Sequence, residues 1–166
     1  MNEEFNDIIN SLINNEKVKE MKNYRQHCNT SCYDHSYNVA YLTYKISKKL
    51  NLDYVSATRG AMLHDLFLYD WRKSKRFNFH AFKHGKIAYL NAKKEFDLND
   101  IESDMIIKHM WPITIKPPKY KEGFVLTIAD KVCASKEILN SLVVFLNDNP
   151  VVRYAYLFYV FVFKNF

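Results

Sequence analysis

The chain has 166 residues, a net charge of +6 and a hydrophobic fraction of 48%. These values exclude a disordered protein and fit one domain with a sizeable core. Only three glycines and four prolines are present, which disfavours a turn-rich all-β fold and favours helices. The positive charge favours acidic ligands such as phosphate esters only weakly, because solvated lysines also account for it.

The first predicted helix rests on apolar residues at the spacing of one helical face: Phe5, Ile8, Ile9, Leu12 and Ile13. The stretch "NYRQHCNTSCYD" (residues 23–34) is polar and turn-like. We predict a second helix from near Asp34. In it His35 lies four residues before Val39, and therefore at the end of the buried stripe.

A longer apolar segment, "GAMLHDLFLYDW" (residues 60–71), contains the adjacent polar pair His64 and Asp65. We predict a helix that begins after an N-cap at Asp53 and continues through this pair. Burying both side chains costs several kcal/mol unless they are hydrogen-bonded or bound to a ligand. The pair is therefore a candidate functional site.

Two further helices each carry a histidine beside apolar residues. One runs from about His80 to Phe96, with His84 on its inward side. The next begins at a pattern typical of a capping box, Asn99 and Glu102, and carries His109 before Pro112 ends it.

The segment "GFVLTIADKVCASKEIL" (residues 123–139) resumes helical periodicity. Four apolar residues are predicted to face inward, with Asp130 beside them: Val125, Ile128, Ala129 and Val132. Asn147 to Pro150 separates this helix from an apolar, aromatic C-terminal run.

The C-terminal run, "VVRYAYLFYVFVFKNF", is predicted to be a packed terminal helix, with a dimer face or a membrane-surface contact as the alternatives. Its uncharged part, residues 154–163, is shorter than the roughly 20 residues that a membrane span needs, so no span is expected. We expect a single all-α domain, residues 1–166, of about six to eight helices.

Three cysteines, Cys28, Cys32 and Cys133, and the lack of a signal peptide favour reduced thiols in a cytoplasmic protein over a disulfide framework. Cys28 and Cys32 are an alternative metal-binding pair, but no second Cys/His pair has zinc-finger spacing.

Six polar residues are predicted to lie on or beside the apolar faces of five helices: His35, His64, Asp65, His84, His109 and Asp130. One such histidine is usually a satisfied core residue, but six polar groups would each need a buried partner. A shared metal centre satisfies them together, because imidazole and carboxylate suit divalent transition metals. Two ions bridged by a carboxylate would lower the pKa of bound water and hold a phosphate.

The ordered set resembles the signature of the HD-domain superfamily of metal-dependent phosphohydrolases. In this sequence it reads "DHSYNVA", "LHDLFLYDW", "HAFKHG", "IIKHMWP" and "TIADKV". The resemblance covers about residues 28–137, which would leave 138–166 as a C-terminal helical extension. His84–Gly85 and Asp130–Lys131 look most like the two-metal branch that includes bacterial symmetrical dinucleoside tetraphosphatases.

The resemblance implies a helical bundle of the HD type that binds one or two divalent ions of Fe, Mn, Co, Ni or Zn. The first ion would bind His35, His64, Asp65 and Asp130, and the second would add His84 and His109. Asp65 would bridge the two ions and act in catalysis. The implied reaction is attack by a metal-bound hydroxide on a nucleotide or another phosphate ester.

Many relatives carry a lysine shortly after the His-Asp pair, and this chain has none there. Lys131 is therefore the first candidate for phosphate binding. Four loop cations are the alternatives, unless they are only solvated: Arg72, Lys73, Lys75 and Arg76.

Three residues near the motifs keep two interpretations each. His80 shares a helical face with His84, and either replaces it as a ligand or lies behind it. His27 either lines the site or belongs to a loop, and Asp34 is either a hydrogen-bonding partner of a ligand or an N-cap.

Other functions stay open beside the phosphohydrolase. A non-catalytic nucleotide-binding module would share the fold, although the complete ligand set argues against it, and a di-iron oxygenase would use similar ligands. The scattered basic residues, with no stacking motif among them, argue against nucleic acid. The expected partner is a small phosphorylated substrate, with a nucleotide favoured, and a homodimer is an open alternative.

Overall fold

A computed structural model describes residues 2–73 and 80–164, with side chains as far as residue 161. Two of the candidate loop cations, Lys75 and Arg76, therefore lie outside the described residues. The described chain forms eight α-helices: α1 (Glu3–Ile13), α2 (Glu16–Glu20), α3 (Cys32–Lys49), α4 (Tyr54–Leu63), α5 (His80–Glu95), α6 (Asp100–Lys108), α7 (Lys121–Asp148) and α8 (Pro150–Lys164).

The predicted all-α fold is confirmed for residues 2–73 and 80–164, in which no β-strand forms. A 3₁₀ turn at Met21–Asn23 follows α2, and one isolated antiparallel bridge joins Arg25 to Ser31. Neither the short α2 nor this turn was predicted, because five polar-rich residues carry too little periodicity to indicate a helix.

One core lies between the helices. α3 packs along α4 and α7, α4 also contacts α1 and α6, and α5 packs on α6. The largest fully buried side chains come from all of these layers except α5: Phe5, Ile9, Leu12, Tyr44, Met62, Leu63, Met105, Ile106 and Leu126 among them. Helix α5 contributes the small residues Ala88 and Ala92 to the core, and their size allows this helix to lie close to its neighbours. Polar residues on the inward faces are thereby carried into the middle of the bundle.

The predicted helix starts are largely confirmed. The Asp53 carboxylate accepts the Ser56 N–H at 3.0 Å, and Asn99 and Glu102 form the reciprocal capping box. The helix expected near Asp34 begins two residues earlier, because the Ser31 hydroxyl caps α3 by accepting the Asp34 N–H at 3.1 Å. Asp34 is exposed in the first turn and is not the N-cap.

The prediction of one helix through the His64–Asp65 pair is wrong. Helix α4 ends at Leu63, and His64 is its C-cap. The His64 ring donates from Nδ1 to the Ala61 carbonyl at 2.7 Å, so this side chain satisfies a backbone acceptor of the last turn. Asp65 therefore lies in a turn, and the following backbone leaves the helix with Leu68 at a φ of 51°.

The predicted inward face of α7 is partly wrong. Ile128 and Val132 are 59% and 51% exposed, whereas Leu126 and Cys133 are buried. Neighbouring helical residues point about 100° apart, so a stripe assigned one residue out of phase turns two of its members to solvent. Asp130 belongs to the buried side.

The prediction of a packed terminal helix is also wrong. Apolar side chains of the last part of α7 and of α8 remain exposed in the described structure: Ile138, Leu139, Leu142, Val143, Val144, Phe145, Val151, Val152, Tyr154, Tyr156, Leu157, Phe158, Tyr159 and Phe161. In the part of the chain that is described, no helix has the length and apolar character needed to cross a membrane.

Gly85 lies at a close approach of α5 to α6. A Cβ atom built on Gly85 would lie 2.9 Å from the Ile106 carbonyl oxygen and 3.0 Å from that of Ile107. At Gly60 the nearest neighbour of such an atom is the flexible side chain of Met105, at 3.3 Å. Of these two positions, only Gly85 would require backbone atoms of α6 to move if its residue carried a Cβ atom.

We expect Gly85→Ala to lower the free energy of unfolding by about 1–3 kcal/mol. Displacement of two backbone carbonyls outweighs the gain of about 1 kcal/mol from alanine's helix propensity. Urea denaturation followed by circular dichroism measures the change. Gly60→Ala is the matched control and should change stability by less than about 1 kcal/mol; equal changes in the two variants would contradict the rigid contact.

Candidate metal centre

The structure brings all six predicted site residues together. His35 comes from α3, His64 and Asp65 from the end of α4, His84 from α5, His109 from the C-cap of α6, and Asp130 from α7. Each is at most 6% exposed. Buried polar groups need partners, and the inward atoms of these six residues face one another.

The two oxygens of Asp65 face two different histidine pairs. Oδ2 lies 3.3 Å from His64 Nε2 and 3.9 Å from His35 Nε2. Oδ1 lies 3.3 Å from His84 Nε2 and 3.7 Å from His109 Nε2. The carboxylate thus stands between two clusters of nitrogen atoms, which is the arrangement of a bridging ligand.

Asp130 lies on the first side of this carboxylate. Its Oδ1 is 3.1 Å from His35 Nε2 and 3.9 Å from His64 Nε2. The atoms of His35, His64 and Asp130 are close enough together to hold a metal ion, and so are those of His64, Asp65 and His109.

Hydrogen bonds at the outer nitrogen fix the orientation of three rings. A backbone carbonyl can only accept, so a ring nitrogen that faces one carries the proton and leaves Nε2 to point inward. The three bonds from Nδ1 are His64 to Ala61 at 2.7 Å, His84 to His80 at 2.9 Å, and His109 to Ile106 at 2.9 Å.

His35 is oriented differently. Its Nδ1 lies 3.1 Å from both carboxylate oxygens of Glu137, so a charged acceptor replaces the carbonyl. As in the other three rings, Nε2 points towards the centre, where it faces Asp130.

Hydrogen bonding among the inward atoms is incomplete. The Nε2 atoms of His84 and His109 face each other at 2.7 Å. Within the described residues, His64 Nε2 and Asp65 Oδ1 are buried without a hydrogen-bond partner. Such orphaned acceptors cost free energy unless a cation supplies what is missing. The residues therefore fit a divalent metal, which displaces the remaining protons when it binds.

The pKa values follow the same electrostatics. Burial would raise the pKa of Asp65, but His64 and His84 outweigh burial and hold it well below its usual value. Burial and the positive charge of His84 lower the pKa of His109 to about 3. An ionised Asp65 beside a neutral His109 is the state that metal binding requires.

Sequence reasoning missed Gln26. Its amide donates to Asp65 Oδ2 at 2.5 Å and is buried. Its loop is held by Arg72, whose guanidinium donates to the carbonyls of Arg25 and Gln26 at 2.9 Å each. A lone glutamine in a polar loop gives no periodic signal, and Glu137 follows Lys136 in a stretch whose charges are typical of a solvated helix surface.

The candidate cations differ in availability. Lys131 pairs with Asp130 Oδ2 at 2.6 Å while its side chain is 42% exposed, so it lies at the edge of the site. Arg72 is engaged by loop carbonyls, and Lys73 pairs with Asp70 at 3.3 Å. The structure therefore favours Lys131 over these two as the basic residue nearest the centre.

His80 stacks on the ring of His84, with centroids 4.5 Å apart, and its Nδ1 lies 2.8 Å from the Tyr69 hydroxyl. It thus supports His84 from behind instead of replacing it. His27 is half-buried, with its ring 5.2 Å from that of His35. It belongs to the loop but borders the site, and its ligand atom lies close enough to those of His35 and Glu137 to hold an ion with them.

The cysteines are free thiols away from disulfide partners. Burial raises the pKa of Cys133 to about 11 and raises that of Cys32 further. Among the described residues, no group of three or more side chains close enough to hold a metal ion includes Cys28 or Cys32, so the alternative of a Cys28–Cys32 metal pair has no support here.

Comparison with known proteins gives one match. A family model described as the HD domain matches residues 32–135. No curated protein and no solved structure matches the chain. The matched range is more than half of the chain and contains all six buried residues of the centre, and on this ground the protein belongs to the HD domain family.

Proposed function

We propose that this protein is a metal-dependent phosphohydrolase that acts on a small phosphorylated substrate, with a nucleotide as the first candidate. The observation that carries the proposal is the convergence of four inward Nε2 atoms on Asp65 and Asp130 in a buried site. HD domains are mostly metal-dependent hydrolases, which supports the reaction class.

In this proposal His35, His64, Asp65 and Asp130 hold one ion. His84 and His109 hold a second on the other side of Asp65. Mixed nitrogen and oxygen donors fit Fe, Mn, Co, Ni or Zn better than Mg. When bound, such ions neutralise phosphate oxygens and lower the pKa of coordinated water.

The chain's own residues then supply orientation and charge. Gln26 fixes the rotation of the Asp65 carboxylate through its 2.5 Å hydrogen bond, and the carbonyl of His80 fixes His84. Lys131, half-exposed beside Asp130, is placed to pair with a phosphate oxygen. The buried centre excludes bulk water, which strengthens each of these interactions.

The substrate branch is a finer proposal. His84–Gly85 and Asp130–Lys131 resemble the motifs of symmetrical dinucleoside tetraphosphatases. The first assay is a panel of nucleoside phosphates and dinucleoside tetraphosphates with Mn²⁺ or Fe²⁺. Release of two nucleoside diphosphates from a dinucleoside tetraphosphate would support this branch. Metal binding without turnover of any substrate would favour the nucleotide-binding module.

We expect Asp65→Asn to reduce the metal content from near two ions per chain to one or none. Hydrolysis should fall by about three orders of magnitude, because the ions supply several kcal/mol of transition-state stabilisation. Metal analysis by mass spectrometry, without chelator, and initial rates provide the two measurements. Asp34→Asn, at an exposed carboxylate one residue before His35, is the matched control. Full activity in Asp65→Asn would contradict the mechanism.

We expect Lys131→Ala to keep its metal content and lose about 10- to 100-fold in kcat/KM, since a charge-assisted hydrogen bond to phosphate contributes about 1.5–3 kcal/mol. Lys131→Arg should retain most of the activity. Lys121→Ala, at an exposed lysine of the same helix, serves as the control. An unchanged kcat/KM in Lys131→Ala would remove this lysine from the site.

A further inference from the structure

Glu137 lies two helical turns after Asp130 on α7, on the same side of the helix. His35 is held between these two carboxylates: Nε2 is 3.1 Å from Asp130 Oδ1, and Nδ1 is 3.1 Å from both oxygens of Glu137. The Glu137 side chain is only 10% exposed, so water screens this contact weakly. Glu137 also lies outside the range matched by the family, residues 32–135.

The other three histidines of the centre donate to neutral carbonyls. A carboxylate is a stronger acceptor than a carbonyl. When it accepts the Nδ1 proton of a histidine, it makes the Nε2 atom of that ring a more basic metal ligand. The extra negative charge lies on one side of Asp65 only, behind the group formed by His35, His64 and Asp130. The two sides are therefore electrostatically unequal.

We propose that Glu137 is a positioning residue that orients His35 and makes the ion on the His35 side bind more tightly than the ion on the His84–His109 side. This inference rests on the proposed metal role of His35, but not on the substrate or the reaction. Glu137→Ala removes both the hydrogen bond and the charge, whereas Glu137→Gln removes the charge but keeps an oxygen that accepts the Nδ1 proton.

The test is a Co²⁺ titration of the chelator-treated full chain, followed by its absorption spectrum and by mass spectrometry. We expect Glu137→Ala to weaken the tighter site about 10- to 100-fold and to change the Co²⁺ spectrum. Glu137→Gln, which keeps the hydrogen bond but not the charge, should have an affinity between those of Glu137→Ala and the wild type. Asp148→Ala, at an exposed carboxylate later in α7, should match the wild type.

Two outcomes would overturn the proposal. One is wild-type Co²⁺ affinity in Glu137→Ala. The other is an equal loss of Co²⁺ affinity at both sites in Glu137→Ala together with a fall in the urea midpoint of the metal-free variant, which would assign Glu137 to folding alone. Wild-type chain that binds Co²⁺ but hydrolyses no phosphate ester would overturn the proposed function and leave this inference standing.

A separate observation concerns residues 138–161, the C-terminal arm. Six of its aromatic side chains are 50–71% exposed: Phe145, Tyr154, Tyr156, Phe158, Tyr159 and Phe161. At about 150–250 Å² for each aromatic side chain, these six alone expose on the order of 700 Å². That is near the roughly 800 Å² per partner of a stable interface, and large for a monomer.

The arm carries only two charged residues, Asp148 and Arg153. In a two-fold symmetric interface a surface pairs with itself, so any charge on it can meet a like charge. With so few charges, two copies of the arm can pack together without burying like charges against each other. We infer that a second copy of this chain covers the arm, so that α7 and α8 of two subunits form one four-helix contact.

Sedimentation equilibrium without detergent or lipid tests this inference. We expect a dimer for the wild type and a monomer with unchanged metal content for Leu142→Glu combined with Phe158→Glu. Ile115→Glu, at a residue that is 94% exposed outside the arm, should stay dimeric. A monomeric wild type, binding of that monomer to phosphatidylcholine vesicles, or open-ended aggregation would each overturn it.

Discussion

The hydrogen bond at the outer nitrogen of each buried histidine is the constraint on which the centre depends. A backbone carbonyl or a carboxylate at Nδ1 can only accept, so the ring must donate there and present Nε2 to the middle of the bundle. Four rings oriented in this way around two carboxylates leave His64 Nε2 and Asp65 Oδ1 buried without a hydrogen-bond partner among the described residues. A cation would pair with both atoms, so an arrangement that costs free energy in an apolar core suits a metal site.

The same bonds connect the site to the backbone. His64 and His109 each cap the last turn of a helix with the ring that faces the centre, so the point where α4 and α6 end also fixes the position of a candidate ligand. Close approach of α5 to α6 at Gly85 brings His84 to His109. The same few contacts therefore set both the packing of the helices and the positions of the candidate metal ligands. A substitution that shifts a helix will also shift a ligand.

Charge is distributed unevenly around this centre. Lys131 lies at the edge of the site. Arg72 instead donates to carbonyls of the loop that carries Gln26, which in turn donates to Asp65. The net charge of +6 is thus a poor guide to the residues that face a phosphate. The exposed aromatic arm is a second, separate feature, since it begins one residue after Glu137 and its charge-poor surface has the size of a subunit interface.

The sequence by itself determined the helical class, the main helices, two of the caps and the six polar residues of the centre, because periodicity and capping are local properties of the chain. It misjudged the end of α4, the phase of α7 and the packing of α8, and it missed Gln26 and Glu137. The two missed residues depend on contacts between residues far apart in the chain: Gln26 meets Asp65, and Glu137 meets His35, over separations of 39 and 102 residues. Only the tertiary structure decides which side of a helix finds a partner, because that choice is made by the element packed against it.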